Sequence, residues 1–300
     1  MDWAREAASW PLAAHSQFHT VTGLRGPQHW HVQRLPGPAQ GAPLVLLLHG
    51  TGASTHSFRA LMPLLAAHAE VLAVDLPGHG FSGPPAEQDW SLPGFAAQLQ
   101  ALLQGLQCQP TLAVGHSAGA AVLVQAALHH AWQPAALPAL VSINGAFLPF
   151  GGLAAPLLSP LARLLYALPG VPGLFSQRAA EPAVVRRLIE GTGSTLDAEG
   201  LALYGRLMQD PGHTRAALAM MAHWELQPLA RALPQLRVPL LLLAGANDRA
   251  VPVGQARRVQ QLCAQARLHV LPGLGHLAHE EAPAVVAQHL LAAASDLQAA

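Results

Sequence analysis

Short apolar runs and longer helical stretches alternate along most of this 300-residue chain. Residues 44–48, Leu-Val-Leu-Leu-Leu, are apolar at every position and stop at His49-Gly50. A strand with one wet face would carry polar residues at alternate positions, so an unbroken run predicts a strand buried on both faces. Similar runs occur at 71–74, 111–114, 139–143, 240–243 and 268–271. Helix-length patterns lie between them at 58–69, 92–106, 118–131 and 254–264, and a last one runs from 282 onward. Strands that each give way to a helix predict a parallel sheet, because a crossover must carry the chain back to the same end of the sheet. Two earlier segments, 18–22 and 29–35, read as an antiparallel hairpin on its edge.

The alternation fails between about 147 and 231, where helical patterns are separated by Pro and Gly, among them Pro149, Gly151, Pro169-Gly170, Pro182, Gly191 and Pro211-Gly212. This stretch follows the strand that ends near Asn144 and precedes the strand that delivers Asp248. It is therefore expected at the C-terminal ends of the strands, where open α/β sheets bind ligands. The expected organisation is a core made of residues 1–146 and 232–300, with residues 147–231 as a helical cap over the active site.

Composition narrows the chemistry. The chain is 51% hydrophobic and 11% charged with no net charge, which leaves no electrostatic footprint for nucleic acid. It contains no Lys, so all 16 basic positions are Arg, and Schiff-base and P-loop chemistry are excluded. Cys108 and Cys263 lack metal-site spacing and read as free thiols in a reducing compartment. His29 and His31 share a strand face, and with His276 and His279 they suggest a metal. No Cys/His spacing suits Zn²⁺, however, and Mg²⁺ prefers oxygen ligands, so neither a metal nor a cofactor is expected.

No Asp, Glu, Lys or Arg occurs between Asp89 and Arg163, but Gln98, Gln104, Gln125, His129 and several prolines interrupt the stretch. It reads as buried strands and helices rather than a membrane span. The N-terminus carries acidic residues where a secretory signal needs positive charge. A cytoplasmic protein is expected, with peripheral contact at a membrane surface as the alternative.

Three separated segments carry complementary chemistry. In Gly115-His116-Ser117-Ala118-Gly119 an apolar run turns into a helix of small residues, the setting of a nucleophile elbow with Ser117 at its tip. A serine hydroxyl needs an imidazole to take its proton, and the imidazole needs a carboxylate to fix its tautomer. After Ser117 the aspartates are Asp197, Asp210, Asp248 and Asp296. Two fall in the expected cap and Asp296 follows the histidine, which leaves Asp248 as the acid. The strand end at Asn144 carries no carboxylate. His276 follows the last strand and a Pro272-Gly273-Leu274-Gly275 turn, from which an imidazole reaches Ser117. His279 nearby reads as structural.

The oxyanion hole is expected from the backbone N–H of Ala118 and of Thr51, in His49-Gly50-Thr51-Gly52, where glycines allow close approach to substrate. One such donor contributes on the order of 3 kcal/mol. His49 reads as holding that loop, and Asp75-Leu76-Pro77-Gly78-His79-Gly80 as fold-defining.

Together these motifs resemble the α/β-hydrolase superfamily over essentially the whole chain. The resemblance implies the α/β-hydrolase fold, a mostly parallel, doubly wound sheet with an inserted helical cap. Within it, the chain is similar to the magnesium-chelatase accessory proteins of bacteriochlorophyll biosynthesis. The narrower likeness rests on residues 49–57, 142–150, 191–197, 220–224 and 271–281. It implies a role near magnesium insertion into protoporphyrin IX, with magnesium chelatase as partner and contact with the photosynthetic membrane. The cap would then offer a substrate pocket for a small apolar or porphyrin-like molecule from Met208, Met220, Met221 and Trp224, with Phe147, Phe150 and Phe175 nearby. Arg163, Arg178, Arg186, Arg187, Arg206 and Arg215 could meet its propionates. Two functions follow: an esterase-like serine hydrolase, or a porphyrin-binding, chelatase-assisting protein that needs no turnover.

Overall fold

The computed structural model describes residues 1–23, 26–129, 138–149 and 181–298. Phe150, Arg163, Phe175 and Arg178 lie outside them. The strands are β1 (Ser16–Gly23), β2 (Gly26–Leu35), β3 (Leu44–Leu48), β4 (Glu70–Val74), β5 (Leu112–His116), β6 (Ala139–Ile143), β7 (Leu240–Gly245) and β8 (Ala266–Leu271). Among the described residues they form one eight-stranded sheet in the order β1-β2-β4-β3-β5-β6-β7-β8. The β1–β2 and β2–β4 pairs are antiparallel, and every other neighbouring pair is parallel. The sheet is the mostly parallel, helix-covered one expected.

The helices are α1 (Trp3–Glu6), α2 (Leu61–Ala66), α3 (Leu92–Gly105), α4 (Ala118–Leu128), α5 (Pro182–Gly191), α6 (Ala198–Gln209), α7 (Pro211–His223), α8 (Gln227–Ala232), α9 (Val253–Leu262), α10 (Ala278–Glu281) and α11 (Pro283–Gln298). Side-chain alternation along β3 explains why both sheet faces are covered. Leu44, Leu46 and Leu48 pack with Phe95 and Leu99 of α3 and Val122 of α4. Val45 and Leu47 pack on the other side with Leu61 and Leu65 of α2 and with Val286 and Leu290 of α11. Each fully buried aliphatic side chain contributes roughly 1.5–3 kcal/mol, and two such layers hold the strand ends in fixed relation.

One helix is shorter than its pattern. Residues 55–58 form a 3₁₀ turn and α2 begins at Leu61. Pro63 lacks an N–H and fits only the first turn of a helix, which moves the start of α2 to that point.

The stretch between β6 and β7 is an insertion, and α5 to α8 lie in its described part. The N-terminal residues bind it to the rest. Arg206 of α6 pairs with Glu6 and stands 5.2 Å over the Trp10 ring, and the Met1 ammonium lies 3.5 Å from Asp210.

Candidate active site

β5 runs into α4 through Ser117, whose backbone sits at φ 50°, ψ −114°. A residue with a β-carbon pays a local strain for positive φ, typically about 1–3 kcal/mol, and keeps it only where its surroundings enforce it. They do so here by close packing. A β-carbon at Gly115 would lie 2.4 Å from the Ala120 backbone, and one at Gly119 would lie 2.4 Å from the Leu48 carbonyl. Gly50, in the expected oxyanion loop, abuts the elbow as well, since a β-carbon there would come within 2.9 Å of the Ser117 Cβ. The glycines therefore bring the end of β3, the elbow and α4 into backbone contact, and leave Ser117 half-buried at the strand ends.

Asp248 and His276 come from the loops after β7 and β8. His276 Nδ1–H donates to Asp248 Oδ2 at 2.8 Å, and Asp248 Oδ1 accepts the Ala250 and Val251 N–H groups, each at 2.8 Å. Every group facing this carboxylate is a donor, so the ring keeps its proton on Nδ1 and presents Nε2 as a base.

The histidine loop touches the elbow directly. His116, the residue before Ser117, donates through Nε2–H to the His276 carbonyl at 3.0 Å, and the two rings lie 4.7 Å apart. Asn144, at the end of β6, donates to the Gly275 and His276 carbonyls at 3.0 and 2.7 Å, and accepts the Gly245 N–H at 2.7 Å. The residue set aside for lacking a carboxylate thus ties the acid-bearing and histidine-bearing segments together. Sequence reasoning missed that role; its only signal was a polar side chain at the end of a buried strand.

In the loop after β3, His49 donates through Nδ1–H to the Gly50 carbonyl at 2.8 Å and accepts the Leu76 N–H on Nε2 at 2.9 Å. It fixes that loop to the end of β4. The Thr51 hydroxyl donates to the Met220 sulfur at 3.3 Å, so α7 stands over this loop. His213, also of α7, donates to the Gly52 carbonyl at 3.1 Å and accepts the Gly80 N–H at 3.0 Å.

The four residues expected as a pocket have different surroundings. Met220 is fully buried in the main core, Trp224 packs edge-on against Phe95 at 5.7 Å, Met208 joins a satellite cluster with Tyr204 and Leu277, and Met221 is 45% exposed. Phe147 is buried in the main core. Arg206 is held by Glu6 and Ser9, while Arg186 and Arg187 are exposed.

The insertion meets the acid and histidine loops backbone to backbone. A β-carbon at Gly193 would lie 1.9 Å from the Asn247 carbonyl, one at Gly275 would lie 2.2 Å from the Gly193 carbonyl, and one at Gly245 would lie 2.3 Å from the Gly275 carbonyl. Gly193 itself has φ +87°. On α10, Glu280 accepts the Tyr204 hydroxyl at 2.8 Å and pairs with Arg59 at 2.5 Å. Burial lifts the Glu280 carboxyl to about 7 against the downward pull of Arg59 and Tyr204.

A second serine, histidine and aspartate set joins the edge hairpin, with Ser16 and His31, to Asp75 just after β4. Ser16 is 2.9 Å from His31 Nε2, and His31 Nδ1 is 2.7 Å from Asp75 Oδ2. Asp75 also accepts the Thr55 and Phe81 N–H groups at 2.7 and 2.9 Å. Burial alone would raise this carboxyl, but the His31 contact and the Phe81 N–H hold it below the usual carboxylate range. A β-carbon at Gly80 would strike its oxygen at 2.1 Å, which accounts for the glycine in that loop.

Among the described residues, no group of three or more His, Cys, Asp or Glu is placed to hold a metal ion, and no helix is long and apolar enough to cross a membrane. Cys108 and Cys263 are buried free thiols.

The α/β hydrolase fold family model matches residues 43–283. The magnesium-chelatase 30 kDa subunit of Rhodobacter capsulatus is 40% identical over 282 residues, 94% of this chain and 95% of that protein. An α/β hydrolase fold protein from Burkholderia ambifaria has a TM-score of 0.74 at 22% identity, over 93% of this chain and 100% of that one. A thermophilic esterase from Thermogutta terrifontis has a TM-score of 0.71 at 20% identity, over 94% of this chain and 99% of that one. At such identities the structural likeness speaks for the fold alone.

Proposed function

Because this chain belongs to the α/β hydrolase fold family, we propose that Ser117, His276 and Asp248 form the catalytic triad of a serine hydrolase acting on an ester or related acyl bond. In the proposed reaction Ser117 Oγ attacks the acyl carbon while its proton passes to His276 Nε2. The carbonyl oxygen becomes an oxyanion received by the N–H groups of Ala118 and Thr51. His276 then gives the proton to the leaving oxygen, and an acyl-enzyme remains on Ser117. Water repeats the sequence in reverse: its proton goes to His276, its oxygen to the acyl carbon, and Ser117 recovers its hydrogen.

The observation that carries this reading is the strained backbone at Ser117 beside the glycine-lined loop at Gly50, together with the 2.8 Å contact between His276 and Asp248. A binding surface needs no serine at positive φ. The segment 147–231 is proposed as the cap; the contact of its buried Met220 with Thr51 seats it on the loop proposed to supply the oxyanion N–H.

The physiological role proposed is assistance to magnesium chelatase during magnesium insertion into protoporphyrin IX. Its support is the 40% identity, over nearly the full length of both chains, to a protein bearing the name of a chelatase subunit. The same relationship favours a second reading, in which the fold binds porphyrin or chelatase without turnover. Complementation of a strain lacking this protein separates the two. Loss of rescue by a folded Ser117→Ala variant supports catalysis, and full rescue supports binding. Mapping a fluorophosphonate adduct to Ser117 tests the nucleophile itself.

A further inference from the structure

The backbone on each side of His276 is held by side chains from three parts of the molecule. The His276 carbonyl accepts from Asn144 and His116, both in the sheet core. The Leu277 N–H, in the same peptide group, donates to Ser194 Oγ at 2.8 Å. The Gly275 N–H, one residue before His276, donates to Glu281 Oε2 at 2.7 Å. Ser194 O–H donates to that same carboxylate oxygen at 3.1 Å, and Glu281 Oε1 accepts the Thr195 N–H at 2.9 Å. Ser194 is 1% exposed and lies in the insertion, just after α5.

We infer that Ser194 is a positioning residue for the imidazole of His276, acting through Leu277 and Glu281, so that the insertion forms part of the seat of the base. This inference rests on the hydrolase reading above. The physical argument is one of remaining freedom. With the flanking peptide planes held by hydrogen bonds, His276 keeps only its two side-chain torsions, and Asp248 fixes those through Nδ1. Removing the Ser194 hydroxyl leaves the buried Leu277 N–H without its acceptor while Asn144 and His116 still hold the carbonyl end, so the peptide plane keeps one of its two anchors and tilts to bring the N–H toward a new partner. That tilt changes the backbone torsion at His276, and with it the direction in which the Cα–Cβ bond aims the imidazole. Displacements of about 1 Å in a reacting group lower rates by up to roughly 10²-fold.

The experiment compares wild type, Ser194→Ala and Glu281→Gln. Turnover of an activated ester is normalised to sites titrated with a fluorophosphonate, alongside backbone hydrogen exchange across residues 273–281. The expected result for both variants is a kcat per titrated site lowered at least about tenfold, KM within about twofold, and faster exchange at Gly275 and Leu277. A structural role alone would lower the number of titratable sites and leave kcat per site unchanged. That result, or unchanged exchange, overturns the inference. Failure of the wild-type protein to take the probe overturns the hydrolase reading instead, and exchange in the variants then decides the brace by itself. Glu281→Gln keeps the shape of the side chain while turning one acceptor into a donor, so the test survives a poorly folded Ser194→Ala.

Discussion

The Ser16, His31 and Asp75 set at the edge hairpin and the Ser117, His276 and Asp248 set at the strand ends share one contact, imidazole Nδ1 to carboxylate, at 2.7 Å in the first and 2.8 Å in the second. They differ in what surrounds the serine. Ser16 lies in regular strand opposite Gln33, whose amide donates to its hydroxyl at 3.4 Å. The rings of Trp3, Phe18 and Phe81 close around His31 at 5.4, 5.0 and 5.1 Å. Ser117, half-buried as Ser16 is, lies at positive φ on a turn, against a glycine loop and the first turn of a helix. A relay of hydrogen bonds orients an imidazole, but acyl transfer also needs N–H donors aimed at the developing charge. The hairpin set has the relay without that setting, and reads as a strut between β2 and the loop after β4.

The largest effect that would break this contrast is at the serines. Ser117→Ala is expected to lower kcat about 10⁶-fold, while Ser16→Ala leaves kcat within about twofold. Steady-state kinetics on an activated ester check both, and a fluorophosphonate adduct at Ser16 would reverse the assignment. Next come the aspartates. Asp248→Asn should lower kcat about 10⁴-fold with little change in melting temperature, since the amide oxygen still accepts the Ala250 and Val251 N–H groups and only the imidazole changes tautomer. Asp75→Asn should instead cost about 3–5 kcal/mol of stability, because each oxygen of this buried carboxylate accepts a backbone N–H, Thr55 on Oδ1 and Phe81 on Oδ2, so either orientation of the amide turns a donor against a donor. Urea unfolding with parallel kinetics on the folded fraction separates a catalytic loss from a structural one.

A broader effect involves pH. Burial holds His49 and His213 at about 4 and His79 and His279 at about 3, and keeps His56 and His116 well below 6.5. The unfolded chain takes up protons near 6.5 that the folded chain refuses. Stability is therefore full above that value and is lost as pH falls toward 3–4, by about 1.4 kcal/mol per pH unit for each such histidine. Melting temperatures between pH 7.5 and pH 5 should drop steeply, with net proton uptake on unfolding at pH 5; a flat profile would mean these rings are charged or solvated. The smallest effect is that of Ser16→Ala on stability, about 1–2 kcal/mol for its two neutral hydrogen bonds, to His31 and from Gln33, measured as a shift in the urea midpoint.

Most of the sheet was legible because its strands are unbroken apolar runs; 44–48 and 139–143 coincide with β3 and β6 to the residue. Helix starts were less so, as Pro63 shows. Asp248 follows from elimination among the aspartates and His276 from its place after the last strand and the Pro272–Gly275 turn, and the structure brings them into contact. The supports around them were not found, because each depends on residues far apart in sequence. Asn144 reaches across 132 positions to the His276 carbonyl, and Ser194 across 83 to the Leu277 amide. No periodicity or spacing encodes such pairs. The hairpin set was hidden in the same way. His31 read as a strand histidine and Asp75 as part of a loop, and only folding places one against the other.

The contacts at Gly193, Asn247, Gly245 and Gly275 have a mechanical consequence. Three loops meet there with main-chain atoms in contact, and the Asn247 N–H donates to the Leu274 carbonyl at 2.8 Å and the Arg249 N–H to the Thr192 carbonyl at 3.0 Å. A shift of a few tenths of an ångström in one must be matched by the others, so the junction moves in common mode, and thermal motion there displaces the acid and the imidazole together while their separation is kept. Alanine at any of these glycines would act as a spacer, forcing the loops apart and changing that separation.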